Sequence, residues 1–188
     1  AYWTGAAWKP MQTGLANADY NWRQGVGRCI AFYRGQVIFG GHFVSADSCA
    51  ASNIAAWTGA DWVPFGANNG VSFDATAFVT HQGRLICGGA FFSAGMTYAP
   101  SVAAYDGTGW APIGVGFDNA VWSLVEYRGD LIAGGYFSHS GTTVLNCVGR
   151  WDGNGWVPLS TGLNGPVRAL YVWHDSLIAT GLFTMAGG

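Results

Sequence analysis

Charged residues are scarce in this sequence: Asp, Glu, Lys and Arg make up 10% of its 188 residues, against about 25% in an average globular domain. The formal net charge is -2, and like charges never cluster into a run. Nucleic acids and anionic surfaces attract proteins through clustered basic residues. The sequence therefore predicts no nucleic-acid partner.

Long apolar runs are also missing. The runs that do occur, such as 31–33 and 131–133, have the length of a short strand and are soon interrupted by glycine. A membrane-spanning helix needs about 20 consecutive apolar residues. We therefore expect no membrane insertion.

Sequence motifs of catalysis and metal binding are absent. The chain contains no GxSxG elbow, P-loop, dinucleotide fingerprint, CxxC or HExxH, and so it lacks the spacings on which those chemistries depend. The histidines occupy unrelated positions, which argues against a zinc site: His42, His81, His139 and His174. We expect no cofactor, no metal, no catalytic residue and no enzymatic activity.

A repeated pattern of aromatic residues, glycine and proline dominates what is present. It occurs as Trp3-Thr4-Gly5-Ala6-Ala7-Trp8-Lys9-Pro10, and again in 57–64, 105–112 and 151–158. The units start near residues 1, 55, 103 and 149. A period of about 40 to 50 residues with internal turn signals is typical of propeller blades built from four short strands.

Two further patterns follow the same period. An apolar segment ending in two glycines and an aromatic residue occurs at 37–43, 85–91 and 131–137, and with Thr180 in place of the first glycine at 177–183. Each is preceded by another apolar segment and a two-residue turn, which predicts a hairpin of strands a and b. Strand c then leads into the Asp-Gly or Thr-Gly turn. Strand d carries a proline, which places it at a sheet edge or at a strand end.

These paired motifs resemble kelch-type β-propeller repeats, and more closely the secreted GGxFxxAGG and WDGxxWxxLG repeats of bacterial and fungal surface proteins. The resemblance covers residues 1–188 and implies one all-β domain, a β-propeller of about four four-stranded blades. The strand order along the chain is c-d, three times a-b-c-d, then a-b, so one blade is split between the termini. That blade closes either within the chain or with another copy.

The resemblance implies a non-enzymatic binding or structural module, extracellular or at the cell surface. Its expected partner is a protein or glycan surface or, through the split blade, other copies of the chain. In such repeats the glycine pairs, the turn residues Asp106 and Asp152 and the tryptophans are structural, so Trp8, Trp62, Trp110 and Trp156 are expected between blades. The alternative is a propeller-fold hydrolase or lyase that acts on polysaccharide with loop carboxylates.

Aromatic residues that break the repeat are the candidate binding residues, because exposed aromatics can anchor a sugar or a protein. Trp22 lies in the long insertion of residues 15–27, together with Asp19 and Arg23, and Trp122 interrupts a strand position that is otherwise polar. Cys49 and Cys147 lie in or beside loops between strands b and c, where a disulfide could join them if those loops approach.

Overall fold

The computed structural model describes residues 1–17, 25–66 and 70–187, and all regular structure in these ranges is β. No described helix could span a membrane. The strands, in chain order, are β1 (Tyr2–Trp3), β2 (Trp8–Lys9), β3 (Leu15–Ala16), β4 (Val26–Tyr33), β5 (Gln36–His42), β6 (Ser45–Ala46), β7 (Cys49–Ala50), β8 (Ile54–Trp57), β9 (Trp62–Pro64), β10 (Asp74–His81), β11 (Arg84–Ala90), β12 (Ser93–Ala94), β13 (Thr97–Tyr98), β14 (Val102–Tyr105), β15 (Trp110–Pro112), β16 (Val121–Tyr127), β17 (Asp130–Gly135), β18 (His139–Ser140), β19 (Thr143–Val144), β20 (Val148–Trp151), β21 (Trp156–Pro158), β22 (Val167–Trp173) and β23 (Ser176–Gly181).

Three antiparallel sheets of four strands repeat along the chain. Sheet 1 has the order β4-β5-β8-β9, sheet 2 the order β10-β11-β14-β15, and sheet 3 the order β16-β17-β20-β21. These orders confirm the predicted sequence of strands a, b, c and d. Pro64, Pro112 and Pro158 all lie on the outer strand d, where a missing N–H leaves no gap in the ladder. The all-β prediction is confirmed, and the arrangement is compatible with a β-propeller.

Tight turns join strands a and b as predicted. Tyr33 pairs with Gln36 across the turn, while Arg34 and Gly35 have φ angles of 47° and 82°. Two successive positive φ angles match the right-handed twist of the flanking strands. The same hairpin recurs in sheets 2 and 3.

Small hairpins in the connection between strands b and c were not predicted from the sequence. They are β6–β7, β12–β13 and β18–β19, each only two residues per strand. The segment that precedes strand a bonds to the hairpin of its own unit, as in the pairing of Leu15 with Ala46 and of Val71 with Ala94. These contacts connect the segment before strand a to the hairpin between strands b and c of the same unit.

Successive sheets pack face to face, and the first glycine of each pair makes this possible. A Cβ built on Gly88 of sheet 2 would lie 2.6 Å from Cγ1 of Val121 in sheet 3. Any side chain at this position would therefore overlap the next sheet. Because Gly88 has no side chain, the branched side chain of Val121 from the next sheet fits against it.

Two hairpins remain at the ends of the array. The N-terminal hairpin, β1–β2, and the C-terminal hairpin, β22–β23, are each isolated two-stranded sheets. Within the described ranges no strand pairing joins these two hairpins, and the split blade stays a prediction. The described residues therefore form three four-stranded sheets, with one two-stranded hairpin at each end of the array.

Candidate functional site

Trp122, the one described candidate binding residue, is packed between two neighbours. Its ring is stacked on Tyr136, with centroids 5.9 Å apart and planes 7° from parallel. The guanidinium carbon of Arg168 lies 4.1 Å from the centre of the Trp122 ring, a cation–π contact. Arg168 belongs to the C-terminal hairpin, so this cluster joins that hairpin to sheet 3. Tyr136 is 55% exposed, whereas Trp122 is partly buried.

The remaining candidate binding residues fall in the insertion. Asp19, Trp22 and Arg23 lie outside the described residues. The flanks of the insertion are described: Leu15 and Ala16 form β3, and β4 begins at Val26. Their binding role stays a prediction.

The cysteines are free thiols in the structure, so the candidate disulfide between Cys49 and Cys147 is not formed. Cys49 packs beside sheet 1 with Met11 and Phe43, whereas Cys147 belongs to the cluster around Ile132 at sheet 3. The two thiols therefore belong to separate hydrophobic clusters. Burial raises the pKa of both thiols.

Asp106 and Asp152 act as turn residues, as predicted. Oδ1 of Asp106 accepts hydrogen bonds from N of Thr108 at 2.8 Å, Oγ1 of Thr108 at 2.7 Å and N of Gly109 at 3.0 Å. These bonds, the one from the Thr108 hydroxyl foremost, lower the pKa of Asp106 from 3.8 to about 2. Asp152 accepts two equivalent backbone N–H bonds at 2.9 Å, and the same cause lowers its pKa.

Other carboxylates join successive sheets. Nε of Arg28 in sheet 1 lies 2.7 Å from Oδ2 of Asp74 in sheet 2. The buried ring of His81 in sheet 2 has Nδ1 2.9 Å from Oε2 of Glu126 in sheet 3. These two contacts hold the carboxylates of Asp74 and Glu126 at the junctions between sheets.

Asp118 instead bonds within its own unit, to the loop that follows strand b of sheet 3. It accepts bonds from the backbone N–H and hydroxyl of Ser138 and from N of His139. Burial raises the pKa of Asp118, but these bonds outweigh it and the net pKa is lowered. In the described ranges, no three His, Cys, Asp or Glu side chains converge as a metal site would require.

The uncovered ends are the most unusual feature of the described surface. Trp62, Trp110 and Trp156, at one repeat position, are 7%, 8% and 3% exposed, whereas Trp8 at the same position is 69% exposed. The packing expected of this tryptophan column is therefore present in the three sheets and missing at the N-terminal hairpin.

The C-terminal hairpin shows the same contrast. Ile178 is 45% exposed, although Ile38, Ile86 and Ile132 at its repeat position are 0% exposed. On the opposite end of the array, Ile30 of β4 is 61% exposed. Apolar surfaces that are buried between sheets elsewhere are thus open at both ends.

A groove runs beside the N-terminal hairpin. It encloses about 500 Å³ between β1 and the outer face of sheet 1 and is lined by Tyr2, Ile30, Val37, Phe39 and Trp57 among others. In sheets 2 and 3, the equivalent space next to strand c is filled by strands a and b of the same sheet. At the groove, β1 pairs only with β2 among the described strands, so its other edge is open.

Sequence reasoning predicted open strand edges at these ends but not the exposure of Trp8 and Ile178, because repeat alignment treats all copies of a position alike. Position within the array was the only available signal: a motif at the first or last unit lacks one neighbour.

Comparisons with known proteins support the fold but give no information on function. No family model matches the chain, and no curated protein matches it. Among solved structures, the computationally designed Ika4 protein is similar, with 15% identity and a TM-score of 0.53 over 89% of this chain and 95% of that chain. The designed Ika8 protein matches with 13% identity and a TM-score of 0.45, over 86% of this chain and 57% of that chain. The likeness to Ika4 supports the repeated-sheet fold.

Proposed function

We propose that this chain is a non-enzymatic β-propeller module whose function is assembly, and that its two terminal hairpins belong to one four-stranded blade. Each of sheets 1 to 3 is then a complete blade. The observation that carries the proposal is the exposure of Trp8, 69% against 8% or less at Trp62, Trp110 and Trp156.

The order of strands supports this assignment. β22 and β23 take the places of strands a and b, and β1 and β2 take those of strands c and d. Joined edge to edge, they reproduce the order of sheet 3, β16-β17-β20-β21. An open strand edge is a ready template for pairing, and both hairpins have one.

An enzymatic role is less well supported. The carboxylates of Asp74, Asp106, Asp118, Glu126 and Asp152 each have hydrogen-bond or ionic partners within the fold. A pair of free carboxylates in a cleft, which polysaccharide hydrolysis requires, is not found among them. An extracellular or cell-surface location, implied by the repeat resemblance, is part of the proposal.

Hydroxyl-radical footprinting of the unmodified protein, read by mass spectrometry, tests whether the blade is completed. Trp156, 3% exposed, is the internal reference for a buried ring, and Tyr98, 71% exposed, is the reference for an open one. Modification of Trp8 at a rate close to that of Trp156 supports the proposal. A rate for Trp8 close to that expected from Tyr98 would overturn it.

A further inference from the structure

We propose that the partner of these open ends is a second copy of this chain, and that two copies close one ring of eight blades. This inference rests on the proposed function, because it names what completes the split blade. In it, the C-terminal hairpin of each copy enters the groove beside β1 of the other. Its face packs on the outer face of that copy's sheet 1.

The register of the composite blade follows from the complete sheets. Leu131 pairs with Trp151 and Ile132 with Arg150 between strands b and c of sheet 3, and sheets 1 and 2 repeat this register. By repeat position, Leu177 of one copy then lies opposite Trp3 of the other. Ile178 lies opposite Tyr2.

The composite blade also has a place for the indole of Trp8. Nε1 of Trp62 donates to the carbonyl of Met11 at 3.0 Å, and Nε1 of Trp156 donates to that of Ile113 at 3.1 Å. Each bond reaches back to the end of strand d in the preceding unit. The equivalent acceptor for Trp8 is the carbonyl of Leu159, at the end of sheet 3 in the other copy.

At the proposed junction between copies, the large and the small residue have changed places relative to the junctions within the chain. A Cβ on Gly134 of strand b would lie 2.6 Å from Cγ1 of Val167 on the next strand a. Thr180 takes the repeat position of Gly134, and Gly27 takes that of Val167. The larger residue has moved to strand b and the glycine to strand a, so their combined volume still fits the gap.

Gly27 has no evident reason to be glycine within its own copy. Its φ is not positive, and among the described residues an added Cβ would meet Leu15 alone, at 3.4 Å, an ordinary contact. Thr180 is likewise exposed on the open face of β23. The absent side chain of Gly27 is explained by Thr180 of a neighbouring copy.

An aromatic pair gives the junction a second specific feature. His81 and Glu126 join sheets 2 and 3 through their 2.9 Å contact. Trp173 takes the position of His81, and Phe32 takes that of Glu126. These two rings are 58% and 70% exposed in the single chain. Stacked against each other they bury their apolar surface at the junction between copies.

The number of copies follows from closure. Each chain contributes three complete blades and two halves, and its own ends do not pair in the described ranges. Rings of propellers contain about four to eight blades, so two copies reach the upper end of that range. A two-fold axis then makes both junctions identical, which leaves no open edge.

Cross-linking between singly substituted copies tests the register and the partner. Copies carrying Tyr2→Cys are mixed with copies carrying Ile178→Cys under mild oxidation. Residues directly opposite on paired strands are close enough for a disulfide. We expect a covalent pair of chains bridged through the two introduced thiols.

Leu177→Cys is the matched control, since a shift by one residue turns its side chain to the other face. Unsubstituted protein controls for bridges between the natural thiols.

Several outcomes separate this inference from the proposed function. A solution mass of two chains by light scattering together with the mixed bridge supports it. A mass of one chain, with the bridge forming only in the doubly substituted chain Y2C/I178C, overturns the second copy but retains the completed blade. A series of masses that are increasing multiples of one chain overturns only the closed ring, because it indicates open-ended assembly of copies. No bridge in either preparation, with Trp8 accessible, overturns both.

Changing the sizes of residues 27 and 180 tests the proposed junction independently. Gly27→Val should weaken association of the copies about tenfold or more, because Val would overlap Thr180. Adding Thr180→Gly should recover most of that loss by restoring the glycine and valine arrangement found at Gly134 and Val167. Sedimentation equilibrium measures both variants, and circular dichroism verifies their folding. If G27V associates as tightly as the unmodified chain, Gly27 and Thr180 do not face each other.

Discussion

Trp156 and Ile113 are joined by a hydrogen bond of 3.1 Å from the indole Nε1 to the backbone carbonyl. Ile113 follows the last strand of sheet 2, and Trp156 begins the last strand of sheet 3. The bond therefore connects the outer edges of two successive sheets. Trp62 makes the same bond to Met11, so the interaction occurs at two of the three buried tryptophans of this repeat position.

Trp156→Phe should lower the free energy of unfolding by about 1–3 kcal/mol, because it leaves a buried carbonyl without its donor. Trp110→Phe is the matched control. Trp110 occupies the same position, but its buried Nε1 has no hydrogen-bond partner in the described structure. We expect its loss to be smaller by about 1 kcal/mol. Urea unfolding at one fixed chain concentration measures both, and equal losses would contradict the role of the bond.

Gly134→Val should destabilise the chain by about 1–3 kcal/mol through overpacking. Its Cβ alone would lie 2.6 Å from Val167 and 3.1 Å from Leu170. Combining it with Val167→Gly should restore part of the stability, because one volume replaces the other. Denaturant unfolding of the two single variants and the double variant gives the coupling, expected at about 0.5–3 kcal/mol. Strictly additive losses would show that the two positions do not share one space.

Acid should weaken the fold in part through Asp106. Its folded pKa of about 2 lies below the ordinary value of 3.8. Its stabilising contribution is therefore complete above pH 3.8 and is lost as the pH falls through about 2. Asp106→Asn should flatten the decline in thermal midpoint over that window, and Asp152→Asn should act in the same direction.

Asp175→Asn serves as the control for this pH profile, because no described hydrogen bond reaches the Asp175 carboxylate. Differential scanning calorimetry at a series of pH values measures all three variants. A decline over this window that is unchanged in the Asp106 variant would show that the turn carboxylate does not contribute.

Thiol labelling should follow burial. Cys87 is fully buried, and burial is the largest cause of its raised pKa; burial also raises the pKa of Cys29 to about 12. Since the thiolate is the reactive form, both should resist maleimide at neutral pH until the chain unfolds. Cys49 and Cys147, half-buried, should label first. Mass spectrometry counts the labels with and without urea, and rapid native labelling of Cys87 would contradict its position.

Much of the fold could be read from the sequence because it depends on neighbouring residues. Turns such as that at Arg34 and Gly35 need positive φ angles, which local residue choice reports directly. Strand order followed from the phase of two motifs, and the edge position of Pro112 from its missing donor. The short hairpin β12–β13 escaped notice because two residues per strand leave no periodic signal.

The candidate site was harder to predict because it depends on what covers a residue. The binding role of Trp122 stays a prediction, and its contacts with Tyr136, which follows β17, and with Arg168 of β22 are made only in the folded protein. The sequence likewise could not show that Cys49 and Cys147 lie in separate hydrophobic clusters, because cluster membership depends on the packing of the sheets.

The sequence by itself determined strands a to d, their order within each sheet and the tight turns between them, since these follow from side-chain alternation and backbone preferences over a few residues. Only the tertiary structure decided that Trp62 is buried while Trp8 is exposed, although both share one motif. Burial depends on whether a neighbouring sheet is present, and that is a property of the whole array rather than of any repeat within it.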